Sequence, residues 1–342
     1  MRIAIVASPV SPLRLAQLGG AQAFICDLAL GLVGRGHDVT LYCAEGSEVE
    51  GVRLSTVPEP EDAAAALVMP GGAEPPPTPG VDAAIEAMLD DIRRSGVDAV
   101  SQHAFDAAAL FLAEGLPVLH TLHLPPIVGS VVTAAQTIRA ERLATVSRSC
   151  WTEWRNAGVE VGVLLPNGVD DDMPVDGAPS RVALIAGRIS PEKGVDHAIL
   201  AAHATGLEVH VAGAHYDPAY EIDLSDVEVL GSLAREELRR VMARSAVTVC
   251  AVRWEEPFGM VAAEAQMAGC PVAGYRRGAL PEVVEHGVSG FLAEPDDIDG
   301  LAEAIRHCIS LDRRVVHDSA VKRLSLDMAV GRYEAALQRV AG

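Results

Sequence analysis

Two doubly wound α/β domains in tandem are the fold class predicted for this chain of 342 residues, and three observations predict it. Short apolar runs alternate with helix-length segments throughout, the pattern of parallel sheets assembled from βαβ units. One strand, glycine turn, helix and strand succession occupies residues 2–43, and a second begins at 182 after a stretch of turn residues. A chain of this length that is 49% hydrophobic can also bury a large core, yet is long for a single domain.

In the first half, the strand over 2–7 is followed by Ser8-Pro9, the pair Gly19-Gly20, a helix over about 22–34 and a strand over 39–43. The dinucleotide pattern GxGxxG is absent, so by itself the glycine pair marks a helix-opening turn. Residues 59–80, rich in alanine, proline and glycine, read as a mobile surface loop. Alternation resumes with a helix over 81–94, a strand over 99–102, a helix over 106–114 and a strand over 117–121 that runs into His120-Thr121-Leu122-His123. Open α/β sheets bind ligands at the carboxyl ends of their strands, so this histidine pair sits where function is expected. His120 reads as structural. A helix carrying Trp151 and Trp154 and a strand over 163–165 complete the domain, and Pro166-Asn167-Gly168 opens a linker over 166–180. The expected division is thus 1–165, the linker, 181–322, and a closing segment 323–342.

The second half restarts with a strand over 182–186 and Gly187-Arg188-Ile189-Ser190-Pro191-Glu192-Lys193-Gly194 before a helix from about 195. Cations beside a helix N-terminus are disfavoured unless an anion joins them, which makes Arg188 and Lys193 candidates for phosphate oxygens. Strands over 208–212, 227–230 and 247–250, with a helix over 235–244, lead to the most informative stretch. There Glu256 precedes Pro257-Phe258-Gly259, and Glu264 rides on the helix that starts near Met260. At 1.5 Å rise per residue, Glu264 stands roughly 7 to 8 Å along the axis from Gly259, so the helix N-terminus opens between the two carboxylates. Its unpaired N–H groups suit an anion such as a diphosphate, and a carboxylate on each side suits the hydroxyls that flank it. Sugar hydroxyls, diphosphate and ribose hydroxyls have this layout. Taken alone, two surface acids near a helix start would read equally well.

Composition excludes several classes. A net charge of −20 without a lysine or arginine run argues against nucleic acid and against an anionic membrane surface. Of 27 basic residues only Lys193 and Lys322 are lysines. The six cysteines lie far apart without a CxxC, which argues against structural zinc and a disulfide framework. No apolar run reaches eighteen residues and no signal peptide is evident, so a cytoplasmic protein is expected. Asp170-Asp171-Asp172 could suggest a metal site, but a linker offers no converging ligands, and no metal is expected.

The run from Glu256 to Gly290 resembles the signature of retaining glycosyltransferases of family 4. The resemblance rests on the two glutamates with seven residues between them, the Ala-Gly-Cys-Pro-Val helix end, the Pro-Glu-Val-Val turn and the Gly-x-x-Gly-Phe-Leu strand. Nearly the whole chain shares it, most weakly over 59–80. It implies the GT-B fold, two facing Rossmann-like domains with a cleft between them, closed by a C-terminal helix that crosses back to the first domain. It implies transfer of a sugar from a nucleoside diphosphate, UDP being the expected nucleotide, with the anomeric configuration retained and no cofactor or metal. Arg188 and Lys193, in the Gly-Arg-x-x-x-x-Lys-Gly motif, would bind the diphosphate with the N–H groups of Gly259, Met260 and Val261 beside Phe258. Glu264 would hold the ribose and Glu256 the sugar near its anomeric centre. His123, matching the Thr-x-His motif, would stand beside the donor sugar, Gly19 and Gly20 would approach it, and Gly231, Ser232 and Leu233 would hold the base. The expected acceptor is a soluble small molecule or oligosaccharide, since family members acting on membrane lipids carry a basic docking surface that this chain lacks. Within the family the likeness is nearest to enzymes of bacterial secondary metabolism, orthosomycin antibiotic biosynthesis among them. Ala251-Val252-Arg253-Trp254 departs from the family's usual Pro-Ser entry. Other readings of the same residues are a nucleotide-sugar epimerase of the same fold and a noncatalytic nucleotide-sugar binding module; a retaining glycosidase fits less well, because its two carboxylates would face one bond about 5 Å apart.

Overall fold

A computed structural model describes the chain except for residues 16–19, 67–75, 173–174, 176–178 and 217–218. Its elements fall into two compact units, Met1–Pro166 with Asp327–Gly342, and Asn167–Leu326. In chain order the first unit contains β1 (Arg2–Val6), α1 (Gly20–Gly34), β2 (Asp38–Ala44), β3 (Arg53–Val57), α2 (Ala63–Ala66), α3 (Pro79–Ser95), β4 (Ala99–Gln102), α4 (Ala107–Phe111), β5 (Val118–Leu122), α5 (Gly129–Ala135), β6 (Leu143–Thr145), α6 (Arg148–Asn156) and β7 (Val163–Leu164). The second holds β8 (Val182–Ala186), α7 (Val195–His203), β9 (Glu208–Ala212), β10 (Glu228–Gly231), α8 (Arg235–Arg244), β11 (Val247–Cys250), α9 (Met260–Met267), β12 (Val272–Tyr275), α10 (Leu280–Val283), β13 (Gly290–Ala293), α11 (Ile298–Cys308) and α12 (Arg313–Leu324). The last helix, α13 (Leu326–Ala341), packs on the first unit, where Tyr333 lies 5.5 Å from the Phe24 ring of α1.

Each unit is built on one parallel sheet. The first has the order β3-β2-β1-β4-β5-β6-β7 and the second β10-β9-β8-β11-β12-β13. The central strands are apolar runs because helices cover both faces, as Ile3, Ala4, Ile5 and Val6 of β1 show, all 1% exposed or less. In both sheets the strand order reverses once, between β1 and β4 in the first and between β8 and β11 in the second. Crevices open at the carboxyl ends of strands on either side of such a reversal, which is where open sheets take ligands. Loops leaving β8 and β11 therefore define the site region of the second unit, and those leaving β1 and β4 define that of the first.

Sequence and structure differ in three places. Residues 59–80 are not wholly a loop: α2 lies within them, and the Asp62 carboxylate accepts from Gly80 N at 2.8 Å and Val81 N at 3.0 Å, capping the start of α3. Residues 67–75, the middle of that expected loop, lie outside the described residues. The expected linker, a stretch with little core of its own, contributes Val169, which is fully buried and pairs with the α12–α13 junction through Leu326 N to Val169 O at 2.9 Å. Neither β3 nor α12 was anticipated. All six cysteines are buried and reduced, as small apolar residues.

Candidate functional site

At the reversal point of the second sheet, three loops lock together by backbone contacts. Arg253 N, after β11, donates to Glu192 O at 2.8 Å, and Ala279 N, after β12, donates to Glu256 O at 2.8 Å. Two glycines permit this approach. A Cβ on Gly194 would meet Ala251 O at 2.0 Å, and one on Gly278 would meet Glu256 N at 2.3 Å. Both have positive φ, 60° and 56°, which only glycine adopts without strain. The Glu256 backbone is thereby fixed from both sides before its side chain makes any contact.

That side chain is half engaged. Its Oε2 accepts from Lys193 Nζ at 2.7 Å and from Trp254 Nε1 at 2.8 Å, while among the described residues Oε1 accepts nothing. The Lys193 ammonium also sits 5.2 Å from the Trp254 ring centroid, a cation–π contact that holds both donors against the same oxygen. Burial by itself pushes the Glu256 carboxyl up; the Lys193 charge, hydrogen bonds from Lys193 and Trp254, and the Arg188 charge outweigh it and hold the group below the usual carboxylate range. Arg188 pairs with Glu192 at 3.2 Å and lies 4.6 Å over the Tyr216 ring. A lysine has three donors and an arginine five, so each cation keeps donors after its internal pairing.

Helix α9 starts at Met260 behind Gly259, whose φ of 91° and lack of a capping side chain leave the first-turn N–H groups for another acceptor. One turn further, Glu264 repeats the pattern of Glu256. Its side chain is 10% exposed; Oε1 accepts from Arg235 Nε at 3.0 Å, with Arg239 Nη2 at 3.9 Å, and Oε2 accepts nothing among the described residues. Arg239 also donates to Asp172 at 2.5 Å, and His317 contacts Asp171 at 2.8 Å. Two of the three linker aspartates are thus spent on side-chain pairs, and the described residues contain no cluster of metal-ligating groups.

The sequence-predicted residues Arg188, Lys193, Glu256, Phe258, Gly259, Met260, Val261 and Glu264 all lie on these loops and on α9. Gly231, Ser232 and Leu233 close β10 immediately ahead of α8, which reaches Glu264 through Arg235. Arg235, Arg239, Trp254 and Glu192 were missed. The two arginines carried one usable signal, an i, i+4 spacing on a helix that follows the expected base-binding turn.

In the first unit, Gly20 is the first residue of α1, and Gly19 lies outside the described residues. His120 donates from Nδ1 to Gln102 Oε1 at 2.9 Å, a structural contact in the sheet; burial, then the Arg142 charge, lowers its pKa to about 3. His123, just beyond β5, faces the next strand end. Its Nε2 lies 2.8 Å from His103 Nδ1, and His103 Nε2 lies 2.8 Å from Ser101 Oγ. Burial lowers His123 to about 4 and takes His103 well below the ordinary histidine value, with the neighbouring His123 adding to the effect. Both rings are neutral at pH 7. His103 was not anticipated from the sequence, although it stands one residue beyond the switch-point strand β4.

Two family descriptions match the chain: Glycosyltransferase Family 4 over residues 18–173 and Glycosyl transferases group 1 over residues 175–320. A D-inositol 3-phosphate glycosyltransferase of Mycolicibacterium smegmatis is 36% identical over 187 residues, which are 50% of this chain and 42% of that enzyme. The match thus spans less than half of that relative's length. A glycogen synthase of Mycobacterium tuberculosis is 27% identical over 90% of this chain and 85% of its own. Among solved structures, AviGT4, a glycosyltransferase involved in avilamycin A biosynthesis, superposes with a TM-score of 0.75 at 22% identity, covering 100% of this chain and 98% of that one. Anabaena Alr3699/HepE in complex with UDP-glucose superposes with a TM-score of 0.74 at 18% identity over 99% of this chain and 100% of that one. Both structures share the two-domain fold.

Proposed function

The chain belongs to the family-4-like glycosyltransferases of the GT-B fold, and from that premise we propose that it transfers a sugar from a nucleoside-diphosphate sugar with retention of anomeric configuration. The observation that carries this reading is the matched pair of half-engaged carboxylates, Glu256 and Glu264, on either side of the uncapped N-terminus of α9. Each keeps one oxygen bound to protein cations and one oxygen for a ligand hydroxyl. The first-turn N–H groups of α9, with the remaining donors of Arg188 and Lys193, take up the charge that grows on the departing diphosphate. Glu256 Oε1 receives a hydroxyl of the transferred sugar, and Glu264 Oε2 receives the ribose. The Gly231 to Leu233 turn holds the base, for which UDP is the expected partner, in keeping with the UDP-glucose bound to one structural neighbour. Gly19, Gly20 and His123 contact the sugar. The leaving phosphate accepts the acceptor's hydroxyl proton, so no separate general base is needed.

The spare N–H donors of Arg188 and Lys193, each already paired with a carboxylate, and the partial positive charge at the N-terminus of α9 take the role a divalent ion would play, so the reaction proceeds without metal or cofactor. The acceptor is a soluble small molecule or oligosaccharide in secondary metabolism, because the chain is acidic throughout and holds no lysine before residue 193. Among the described residues no helix is long and apolar enough to cross a membrane. Incubation with a panel of nucleotide sugars tests the reading. Slow release of free nucleoside diphosphate and free sugar supports a transferase. An isomerised donor would indicate an epimerase, and binding without any turnover a noncatalytic module; either overturns the proposal.

A further inference from the structure

His123 presents a problem in hydrogen-bond accounting. Its Nδ1 is buried and has no partner among the described residues, although its Nε2 is bonded, and the residue is only 7% exposed. A neutral imidazole offers one donor and one acceptor, so the proton sits on one nitrogen or the other. The chain Ser101, His103, His123 allows two self-consistent arrangements. In the first, Ser101 O–H donates to His103 Nε2, His103 Nδ1–H donates to His123 Nε2, and His123 carries its proton on Nδ1. In the second, every bond reverses: His123 Nε2–H donates to His103, His103 Nε2–H donates to Ser101 Oγ, and His123 Nδ1 bears a lone pair.

Ser101 decides between them. Its side chain is fully buried, and among the described residues its Oγ has His103 as its only hydrogen-bond partner. In the reversed arrangement the serine hydrogen itself has no acceptor, which adds a second buried unsatisfied group to the one at His123. Each such group carries the full desolvation penalty of an unmade hydrogen bond, so the arrangement with one is favoured over the arrangement with two. Flipping either ring would put a carbon where a bonded nitrogen stands and so break a 2.8 Å contact. His123 is held edge-on by Phe24, with centroids 6.3 Å apart, and His103 is stacked on Tyr333 at 5.8 Å.

We propose that His103 is a positioning residue: polarised by Ser101, it fixes His123 as the Nδ1–H tautomer, so that a neutral N–H donor awaits an oxygen of the bound sugar. This rests on the glycosyltransferase reading for the identity of the ligand, but the tautomer itself does not. A neutral donor recognises a hydroxyl or ring oxygen without adding charge near the anomeric carbon, and it keeps that role across the whole range in which the ring stays unprotonated. The lone unpaired donor is a local cost in the free protein, which ligand binding removes.

The test is histidine side-chain ¹⁵N NMR on the ligand-free protein near pH 7, with His123 assigned by its loss in His123→Gln. The expected spectrum has a protonated Nδ1 and a bare Nε2 at His123; the opposite pattern overturns the proposal whatever the enzyme's activity. His103→Asn keeps an N–H toward His123 and is expected to keep the Nδ1–H signature. His103→Phe removes that donor and is expected to shift His123 toward Nε2–H and to lower kcat by about tenfold or more, the scale on which outer partners of functional histidines act. His103→Asn is expected to recover most of that loss. If His103→Phe does not fold, Ser101→Ala serves in its place, with the expectation that the reversed tautomer becomes detectable. An unchanged tautomer in a folded His103→Phe protein would refute the positioning role. Absence of turnover with every nucleotide sugar, beside an Nδ1–H tautomer, would instead refute the reading of the function.

Discussion

Replacing Glu264 separates two jobs that one carboxylate performs. Its Oε1 lies 3.0 Å from Arg235 Nε, with both side chains about nine-tenths buried, and Arg239 adds a second guanidinium at 3.9 Å. At an effective dielectric near 20, a pair at that first distance attracts by about 5 kcal/mol before the desolvation of the ions is subtracted. Truncation to alanine removes the carboxylate that Arg235 meets at 3.0 Å, while Arg239 keeps Asp172, and breaking a buried pair in this way costs about 3–5 kcal/mol of stability. Glu264→Ala would then confuse unfolding with lost binding. Glu264→Gln is the sharper change, because an amide oxygen can still accept from Arg235, and about 1–3 kcal/mol of stability is expected to be lost, the range for hydrogen bonds to charged groups.

The second job belongs to Oε2. If it accepts from ribose hydroxyls, the neutral amide weakens UDP binding by about 1.5–3 kcal/mol, roughly ten- to a hundredfold. Calorimetric titration with UDP and with its 2′,3′-dideoxy counterpart distinguishes contact from general damage. The wild-type protein is expected to prefer UDP, and Glu264→Gln is expected to lose that preference while binding the dideoxy nucleotide almost as before. Equal losses for both nucleotides in a protein with an intact urea transition would show that Glu264 braces α8 and does not read the sugar.

Other consequences are as direct. Stability should fall as pH drops from about 6.5 toward 5: the buried neutral His103, His120 and His123 bind fewer protons folded than unfolded in that window, whereas Asp106, raised by burial to about 6, acts in the opposite sense. Three groups against one leave a net loss of at least about 1 kcal/mol per pH unit, readable as a lower urea midpoint, and a flat profile would contradict the burial of these rings. Gly278→Ala drives a Cβ into the Glu256 backbone and should cut turnover about a hundredfold, as misplacement of a reacting group does. Gly287→Ala, with φ of 81° but nothing within 4 Å, should cost only about 1 kcal/mol of stability and leave turnover intact. Excess chelator should leave the rate nearly unchanged, while Arg188→Ala or Lys193→Ala should lower it about a hundredfold; loss of activity on chelation with recovery on added magnesium or manganese would assign the charge stabilisation to a metal.

The central strands of both sheets could be read from the sequence because strands buried on two faces are unbroken apolar runs. β3 could not, since Arg53–Val57 is an edge strand with no residue fully buried and no run to announce it. Helix α12 escaped for a related reason: its buried face is Val316, Ser319, Ala320 and Leu324, where a serine and an alanine blunt the apolar period. Position in the candidate site was legible, because the residue order places Arg188, Lys193, Glu256 and Glu264 on the loops and helix beside a strand reversal. Partnership was not. Lys193 and Glu256 are 63 residues apart and Arg235 and Glu264 are 29 apart, and no periodicity relates loops that meet only when the sheet is assembled.

Those partnerships change what the charges mean. Read as a list, Arg188 and Lys193 are free cations waiting for a phosphate, but in the fold each is already balanced by a carboxylate, Glu192 and Glu256. A diphosphate therefore does not meet a bare positive site. It meets two ion pairs whose cations keep spare N–H donors, beside a helix N-terminus that no side chain caps. The arrangement gives each partly buried cation a carboxylate partner, which offsets the cost of its desolvation. It also makes each contact with the ligand an addition to an existing hydrogen-bond network. The Lys193 ammonium, held to Glu256 and stacked beside Trp254, is oriented before the ligand arrives, so the reorganisation that a solvent-exposed lysine would require is small. Trp254 acquires a role here that its departure from the family's usual sequence hid: its N–H is the second donor on Glu256 Oε2, and that contact is what turns Oε1 into the free oxygen.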